Sequence, residues 1–264
     1  MNRIQRVFHP GHLPVFIAFI VAGDPDPATS ITLAKSVIDG GADILELGVP
    51  FSDPVADGPT IQRADERAIA AGMTTDGIFA MIRAIREYSD IPLVLLVYCN
   101  SVYARGITQF YDEAAVSGLD GILIVDMPAE ESDEALVNAT RTGIDQIFLV
   151  AETTSEERLQ KILRRAKGFL YLVSRLGVTG VREGLSPEIG HLITRVKGST
   201  RLPLAVGFGI SRPEEAHSLI RAGADAVIVG SAIVERIEQN HGDLAKSSRE
   251  VKAYVSMMKK ATSR

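Results

Sequence analysis

Two acids close together in an apolar setting are the first residues here that could do chemistry. Residues 43–62 read Asp-Ile-Leu-Glu-Leu-Gly-Val-Pro-Phe-Ser-Asp-Pro-Val-Ala-Asp-Gly-Pro-Thr-Ile-Gln. A strand-like run carries Glu46 near its C-terminal end, and the Gly/Pro/Asp loop behind it carries Asp53 and Asp57. Burying a carboxylate among apolar neighbours is costly. Apolar walls also raise its pKa, which leaves it able to give or take a proton near neutral pH. A structural reading stands beside this one: Glu46 could cap a loop or pair with a base, although Glu on a buried strand is uncommon. Asp57 precedes Gly58, the setting of an ordinary turn residue, so alone it is as readily structural as catalytic. Asp53, before Pro54, reads as loop architecture or a partner contact. Asp24 and Asp126 read as turn and loop organisers.

A second chemistry is anion binding. Three glycine-rich turns fall late in the chain: Gly177-Val-Thr-Gly180, Gly207-Phe-Gly-Ile-Ser211 and Gly230-Ser-Ala-Ile233. Each follows an apolar run, and the last opens a helical stretch. Backbone N–H groups at such turns, with the positive end of a helix dipole, hold phosphate without any lysine. Glycine allows close approach, and Ser231 could add its hydroxyl. Taken singly, each glycine reads as no more than a tight turn.

The elements that must position these groups are eight short apolar runs: Val15–Val21, Ile44–Val49, Leu93–Tyr98, Gly121–Val125, Gln146–Val150, Phe169–Val173, Leu204–Val206 and Ala226–Val229. Their Val, Ile, Leu and Phe content predicts strands buried on both faces. Amphipathic stretches of helical length separate them: Pro27–Asp39, Thr75–Tyr88, Thr108–Ser117, Glu131–Thr142, Ser155–Ala166, Pro187–Val196 and Arg212–Ala222. Thr75, Ser155, Ser186 and Ser211 are candidate N-caps. Gly40, Gly118, Gly143, Gly168 and Gly223 are candidate stops. Asp39-Gly-Gly-Ala-Asp-Ile-Leu, Arg221-Ala-Gly-Ala-Asp-Ala-Val and Val116-Ser-Gly-Leu-Asp-Gly-Ile repeat one another, each a helix end, a glycine and an Asp entering a strand. The pattern predicts an α/β chain, a single-domain (β/α)8 barrel over 1–264. An additional helix lies over Thr60–Ala71, after the second strand, and a short one follows the eighth. An open doubly wound sheet is the alternative, but no Gly-x-Gly-x-x-Gly follows the first strand. Strand alternation then turns Glu46 inward with Ile44 and Gly48, and Leu45 and Leu47 outward.

Composition narrows the partners. The 28 Lys+Arg against 33 Asp+Glu form no basic block, so nucleic acid is not expected. The apolar runs are too short to span a bilayer. Residues 1–12 lack an apolar signal core and Cys99 is the sole cysteine, so the expected compartment is cytoplasmic. Cys99 has no neighbouring His to activate it. His9, His12, His191, His217 and His241 fall in the N-terminal segment or on helices, which argues against a metal at the barrel mouth. Phe19, Leu96, Tyr98 and Tyr171 lie at or near strand ends and could line an apolar pocket, with core packing the alternative. Arg175 and Arg182 flank the glycines after the sixth strand.

The segment Glu46-Leu-Gly-Val-Pro-Phe-Ser-Asp-Pro-Val-Ala-Asp-Gly-Pro-Thr-Ile-Gln62 resembles the tryptophan synthase α-subunit family. So do Ala22-Gly-Asp-Pro25, Ser174-Arg-Leu-Gly-Val-Thr-Gly180, Gly207-Phe-Gly-Ile-Ser211 and Gly230-Ser-Ala-Ile-Val234, and the likeness covers nearly the whole chain. The resemblance implies reversible retro-aldol cleavage of indole-3-glycerol phosphate to indole and glyceraldehyde 3-phosphate. It implies that Glu46 protonates indole C3 and that Asp57 holds the indole N–H. Phosphate would sit among Gly180, Gly209, Gly230 and Ser231, with Phe19, Leu96, Tyr98, Tyr171 and Thr179 around the indole and glycerol. It implies no cofactor in this chain, and a pyridoxal-phosphate β subunit as partner in an α2β2 heterotetramer. Residues 51–60 and 177–190 would be the contacts and lids. Departures are Val21, where the family commonly has Thr, a short N-terminal segment containing His9-Pro-Gly11, and Glu183-Gly184 after Arg182. A stand-alone lyase releasing free indole, and an idle barrel that only activates a partner, are the alternatives. Glu46 and Asp57 together argue against the second.

Overall fold

The computed structural model describes residues 1–9, 14–173, 187–207 and 209–262. Eight strands run β1 (Val15–Val21), β2 (Ile44–Gly48), β3 (Leu93–Val97), β4 (Gly121–Ile124), β5 (Asp145–Ala151), β6 (Leu170–Val173), β7 (Leu204–Gly207) and β8 (Ala226–Val229). Each pairs in parallel with the next, and β8 returns to β1 to close the barrel. The strands fall within one residue of the apolar runs at every end. Side chains from alternate positions fill the interior: Ile17, Ile44, Val94, Leu123, Ile147, Phe169 and Ala205 form one buried cluster. Leu45 and Leu47 belong instead to the layer between strands and helices, so the expected parity of β2 holds.

A short helix, α1 (Arg3–Val7), closes the floor. Ile4 is fully buried against the interior cluster, and the Phe8 and Phe169 rings lie 5.7 Å apart. The repeated Gly-x-Asp segments explain themselves at this end. Asp43, Asp120 and Asp225 accept the backbone N–H of Phe16, Leu93 and Leu204, at 2.6, 2.9 and 2.8 Å. Each Asp just before an even-numbered strand thus pins the start of the odd-numbered strand beside it. Each also holds a base from a helix: Lys259, Arg86 and Lys197 respectively.

The outer helices follow: α2 (Pro27–Asp39), α3 (Pro59–Ala70), α4 (Thr75–Tyr88), α5 (Cys99–Arg105), α6 (Ile107–Ser117), α7 (Asp133–Thr142), α8 (Glu156–Arg165), α9 (Pro187–Lys197), α10 (Pro213–Arg221), α11 (Ser231–Gln239) and α12 (Leu244–Thr262). The additional helix after β2 is α3, and the short one after β8 is α11. Ser155 caps α8 through the Arg158 N–H, as expected. Two caps differ. Thr74, not Thr75, caps α4, because its Oγ1 reaches the Gly77 N–H. At α10 the Glu215 carboxylate takes the N–H groups of Ser211 and Arg212, leaving the Ser211 hydroxyl no capping role. Ser186 lies outside the described residues. The stretch expected as a helix over Glu131–Thr142 divides into a 3-10 turn, Ala129–Glu131, and α7, because the Ser132 hydroxyl turns back onto the Ala129 carbonyl. Helices α5 and α12 have no counterpart in the sequence reading. The second packs Val251, Tyr254, Val255 and Met258 against the barrel and against α2, α10 and α11. Among the described residues no single helix is long and apolar enough to cross a membrane.

Candidate active site

Glu46 sits on β2 between Phe19 of β1 and Val94 of β3, facing the barrel axis. It is fully buried, and neither carboxylate oxygen has a hydrogen-bond partner among the described residues. Loss of solvent, reinforced by the nearby Asp57 charge, pushes its pKa up to about 8. A buried carboxyl in that state is held as a neutral acid near pH 7, ready to donate.

Asp57 is placed by its loop. Its N–H bonds the Pro54 carbonyl at 3.0 Å, and Gln62 Nε2 holds its own carbonyl at 2.8 Å from the first turns of α3. The Tyr98 hydroxyl donates to Asp57 Oδ2 at 2.6 Å and accepts from the Ala56 N–H at 3.1 Å. The Tyr98 ring stacks on Phe51, 4.8 Å between centroids. Tyr98, read from sequence as apolar lining, therefore also clamps the loop through its one polar atom. Burial raises the Asp57 pKa and the Tyr98 bond lowers it, leaving it above the usual carboxylate range. No hydroxyl at position 21 takes part: Val21 is a buried strand residue, and support for Asp57 comes from Tyr98 and Gln62.

A cleft of about 90 Å³ opens at the mouth, with Phe19, Leu96 and Tyr171 as apolar walls and Asp57 reaching in from the loop; Glu46 stands beside Phe19 on the neighbouring strand and is not among the lining residues. Burial and the charges of Glu46 and Asp57 hold the Tyr171 hydroxyl firmly protonated. Gly209, Gly230 and Ser231 form the opposite rim. Gly230 is the N-cap of α11, and its carbonyl takes the Ile233 and Val234 N–H groups, which aims the first N–H groups of the helix at the rim. The sequence reading missed Ile61, Ile210 and Ile228, which also line the cleft. It missed too why Gly48 and Gly207 are glycine. A Cβ on Gly48 would stand 2.6 Å from Phe19 Cζ, and one on Gly207 would stand 2.6 Å from the Tyr171 ring. Thr179, Gly180, Arg175 and Arg182 lie outside the described residues, as does most of 177–190.

The remaining acids fall where turn chemistry put them. Asp24 is buried and paired with Arg67, Asp126 accepts the Cys99 N–H at 2.7 Å, and Asp53 stays exposed with the Ser52 hydroxyl on it. The Cys99 thiol, partly buried beside Asp126, is pushed up to about 12, the opposite of an activated nucleophile. Among the described residues no His, Cys, Asp and Glu group is arranged to hold a metal ion.

Known proteins carry the same architecture. The family model "Tryptophan synthase alpha chain" matches residues 11–263. A tryptophan synthase alpha chain from Methanoregula boonei is 58% identical over 261 residues, 99% of this chain and 98% of that one. One from Methanothermobacter thermautotrophicus is 52% identical, covering 86% of this chain and 84% of that one. The crystal structure of the alpha subunit from Legionella pneumophila superposes with a TM-score of 0.91 at 36% identity, over 100% of this chain and 99% of that one. A chain of the Pyrococcus furiosus tryptophan synthase α2β2 complex gives 0.88 at 38% identity, over 94% and 98%. With its acid pair, cleft and rim on the same barrel, the chain belongs to the tryptophan synthase alpha chain family.

Proposed function

We propose that the barrel mouth cleaves indole-3-glycerol phosphate to indole and D-glyceraldehyde 3-phosphate, reversibly, with Glu46 as proton carrier and Asp57 as the acceptor for the indole N–H. The observation that carries this is Glu46 itself, a fully buried carboxyl with both oxygens unpartnered among the described residues, in register with Phe19, which walls the cleft. Such an arrangement destabilises the fold and needs a use. Its proton passes to indole C3, converting the ring into an iminium-like leaving group. The C3–C1′ bond then breaks, its electron pair restores the indole, and the C1′ hydroxyl becomes the aldehyde. The carboxylate left on Glu46 can accept the hydroxyl proton, so the acid is regenerated. Because the indole nitrogen is the electron sink, an acid, a base and an anion facing N–H are sufficient.

Asp57 has to be ionised while Glu46 is protonated. Two nearby carboxylates share one proton most readily at the drier site. Glu46 is the drier, while the Tyr98 hydroxyl favours the charge on Asp57. Phe19, Leu96 and Tyr171 supply the indole slot, and Gly209, after β7, with Gly230 and Ser231 at the α11 N-terminus supplies the phosphate seat. We assign the product indole to a β subunit in an α2β2 assembly, where pyridoxal phosphate would belong to that partner. The 51–60 loop supports this: its tip presents Val55, 87% exposed, next to the exposed Asp53. The sole cysteine supports a cytoplasmic setting.

Glu46→Gln tests the assignment. The variant keeps shape and should bind a glycerol-phosphate analogue normally while cleavage falls by about 10³-fold or more. In the parent, kcat/KM should decline as pH rises through about 8, because the donating form is lost there. Near-normal turnover by Glu46→Gln would refute the role.

A further inference from the structure

Asp57 and the N-terminus of α11 lie on different elements, and one charged cluster joins them. Arg67 of α3 forks onto Asp24, Nε to Oδ1 at 2.7 Å and Nη2 to Oδ2 at 3.0 Å. Its Nη1 reaches Glu238 of α11 at 2.8 Å. Arg63, one turn earlier on α3, holds both oxygens of the same Glu238 at 2.7 Å. Asp24 is 1% exposed and lies just after β1, so the cluster is tied to the barrel wall. An isolated exposed ion pair fixes little. Here two guanidinium groups converge on one carboxylate and one arm is buried, so the geometry of α3 against α11 is strongly determined. The two guanidinium groups hold Glu238 down at about 2.

Both helices lead directly to the site. Helix α3 begins two residues after Asp57, and its Gln62 holds the Asp57 carbonyl. Helix α11 begins at the rim, where Gly230 and Ser231 line the cleft. We propose that Arg67 and Glu238 are positioning residues that lock α3 to α11, so that a phosphate monoester seated at the start of α11 sets the placement of Asp57. The inference rests on the phosphate seat proposed above. It makes the binding of a remote substrate group act on the residue that holds the reacting ring.

The chain contains no tryptophan, so Val55→Trp at the exposed loop tip provides a single emission reporter two residues from Asp57. Full-length Val55→Trp protein is titrated with sn-glycerol 3-phosphate, following heat for binding and emission for the loop. Emission should change saturably with binding. Adding Glu238→Gln should leave the calorimetric affinity within about twofold while the emission change falls about fivefold or more. In cleavage assays, Glu238→Gln should lower kcat about tenfold with KM unchanged. Arg63→Gln, which breaks only the half-exposed fork and spares the buried pair, should give a smaller loss in both readouts. An undiminished emission response in the Glu238→Gln background would overturn the proposal. So would binding to the Val55→Trp protein, otherwise unaltered, without any emission change. Absence of heat on titrating the parent would overturn the phosphate seat and the coupling together, and calorimetry alone separates that outcome from the others.

Discussion

Asp65 lies on the inner face of α3, one turn beyond Ile61, and is 4% exposed. Its carboxylate accepts no hydrogen bond among the described residues. Burial, with the charges of Asp57, Asp24 and Glu66, pushes its pKa up to about 8. In an unfolded chain an Asp titrates near 4. Between those two values the unfolded chain has released a proton that the native chain keeps, so this residue makes stability fall as pH rises. Asp65→Asn removes the titrating group and keeps the shape. Parent and variant should show similar urea-derived stability at pH 4.5, and the variant should exceed the parent by about 2–4 kcal/mol at pH 8.5. A gap that did not widen with pH would show that Asp65 is ionised and stabilised in the native chain. The comparison with Glu46 shows what a sequence can disclose about such residues. Glu46 announced itself as one charge in an apolar strand. Asp65 stands in Arg-Ala-Asp-Glu-Arg, which reads as a solvated helix face. Only the packing of α3 against α11 and β1 buries it.

At the scale of elements, the cleft depends on strand ends that give up side chains to rings from their neighbours. The Phe19 ring from β1 occupies the space over Gly48 at the end of β2, and also approaches Gly230 at the start of α11. Strand parity turned Gly48 inward beside Glu46, but parity does not say which neighbour fills the space. A Cβ 2.6 Å from Phe19 Cζ must displace the ring that walls the cleft. Gly48→Ala should therefore lower kcat/KM for cleavage by about tenfold or more, chiefly through KM. Adding Phe19→Leu should recover part of that loss by removing the clashing ring edge. A Gly48→Ala enzyme with parental KM would show that the ring moves elsewhere. The same limit applied to Tyr98: its place at a strand end was legible, whereas its bond to Asp57 depends on how the 51–60 loop folds back. Helix α12 was missed for another reason. Val251, Tyr254, Val255 and Met258 keep the i, i+3, i+4, i+7 spacing, but Lys252 and Ser256 between them, and Ser248-Arg-Glu250 just before, mask an apolar stripe that only the assembled barrel covers.

Across the whole molecule, the two ends of the barrel divide stability from chemistry. Glu46, Asp57 and the glycine rim crowd the C-terminal end of the strands. The Gly-x-Asp segments, visible as a repeat before their purpose was, staple the other end. Asp120 is the most connected of these. Its carboxylate takes the Leu93 N–H at 2.9 Å, Arg86 at 2.9 Å and Arg3 of α1 at 3.2 Å. Arg86 also donates to the carbonyls of Gly118, Ser89 and Ile91, so its guanidinium cannot swing out to water when its acid is lost. Asp120→Ala should thus leave a poorly hydrated charge and an unpaired strand N–H, at a cost of about 3–5 kcal/mol in unfolding free energy. Because barrel enzymes place their reacting groups at the opposite face, kcat and KM for cleavage should stay within about twofold of the parent wherever the variant is folded. Thermal unfolding and steady-state kinetics on one preparation read both quantities. A folded Asp120→Ala protein with crippled cleavage would show that the floor reaches the mouth through the strands, and that this division of the barrel is false.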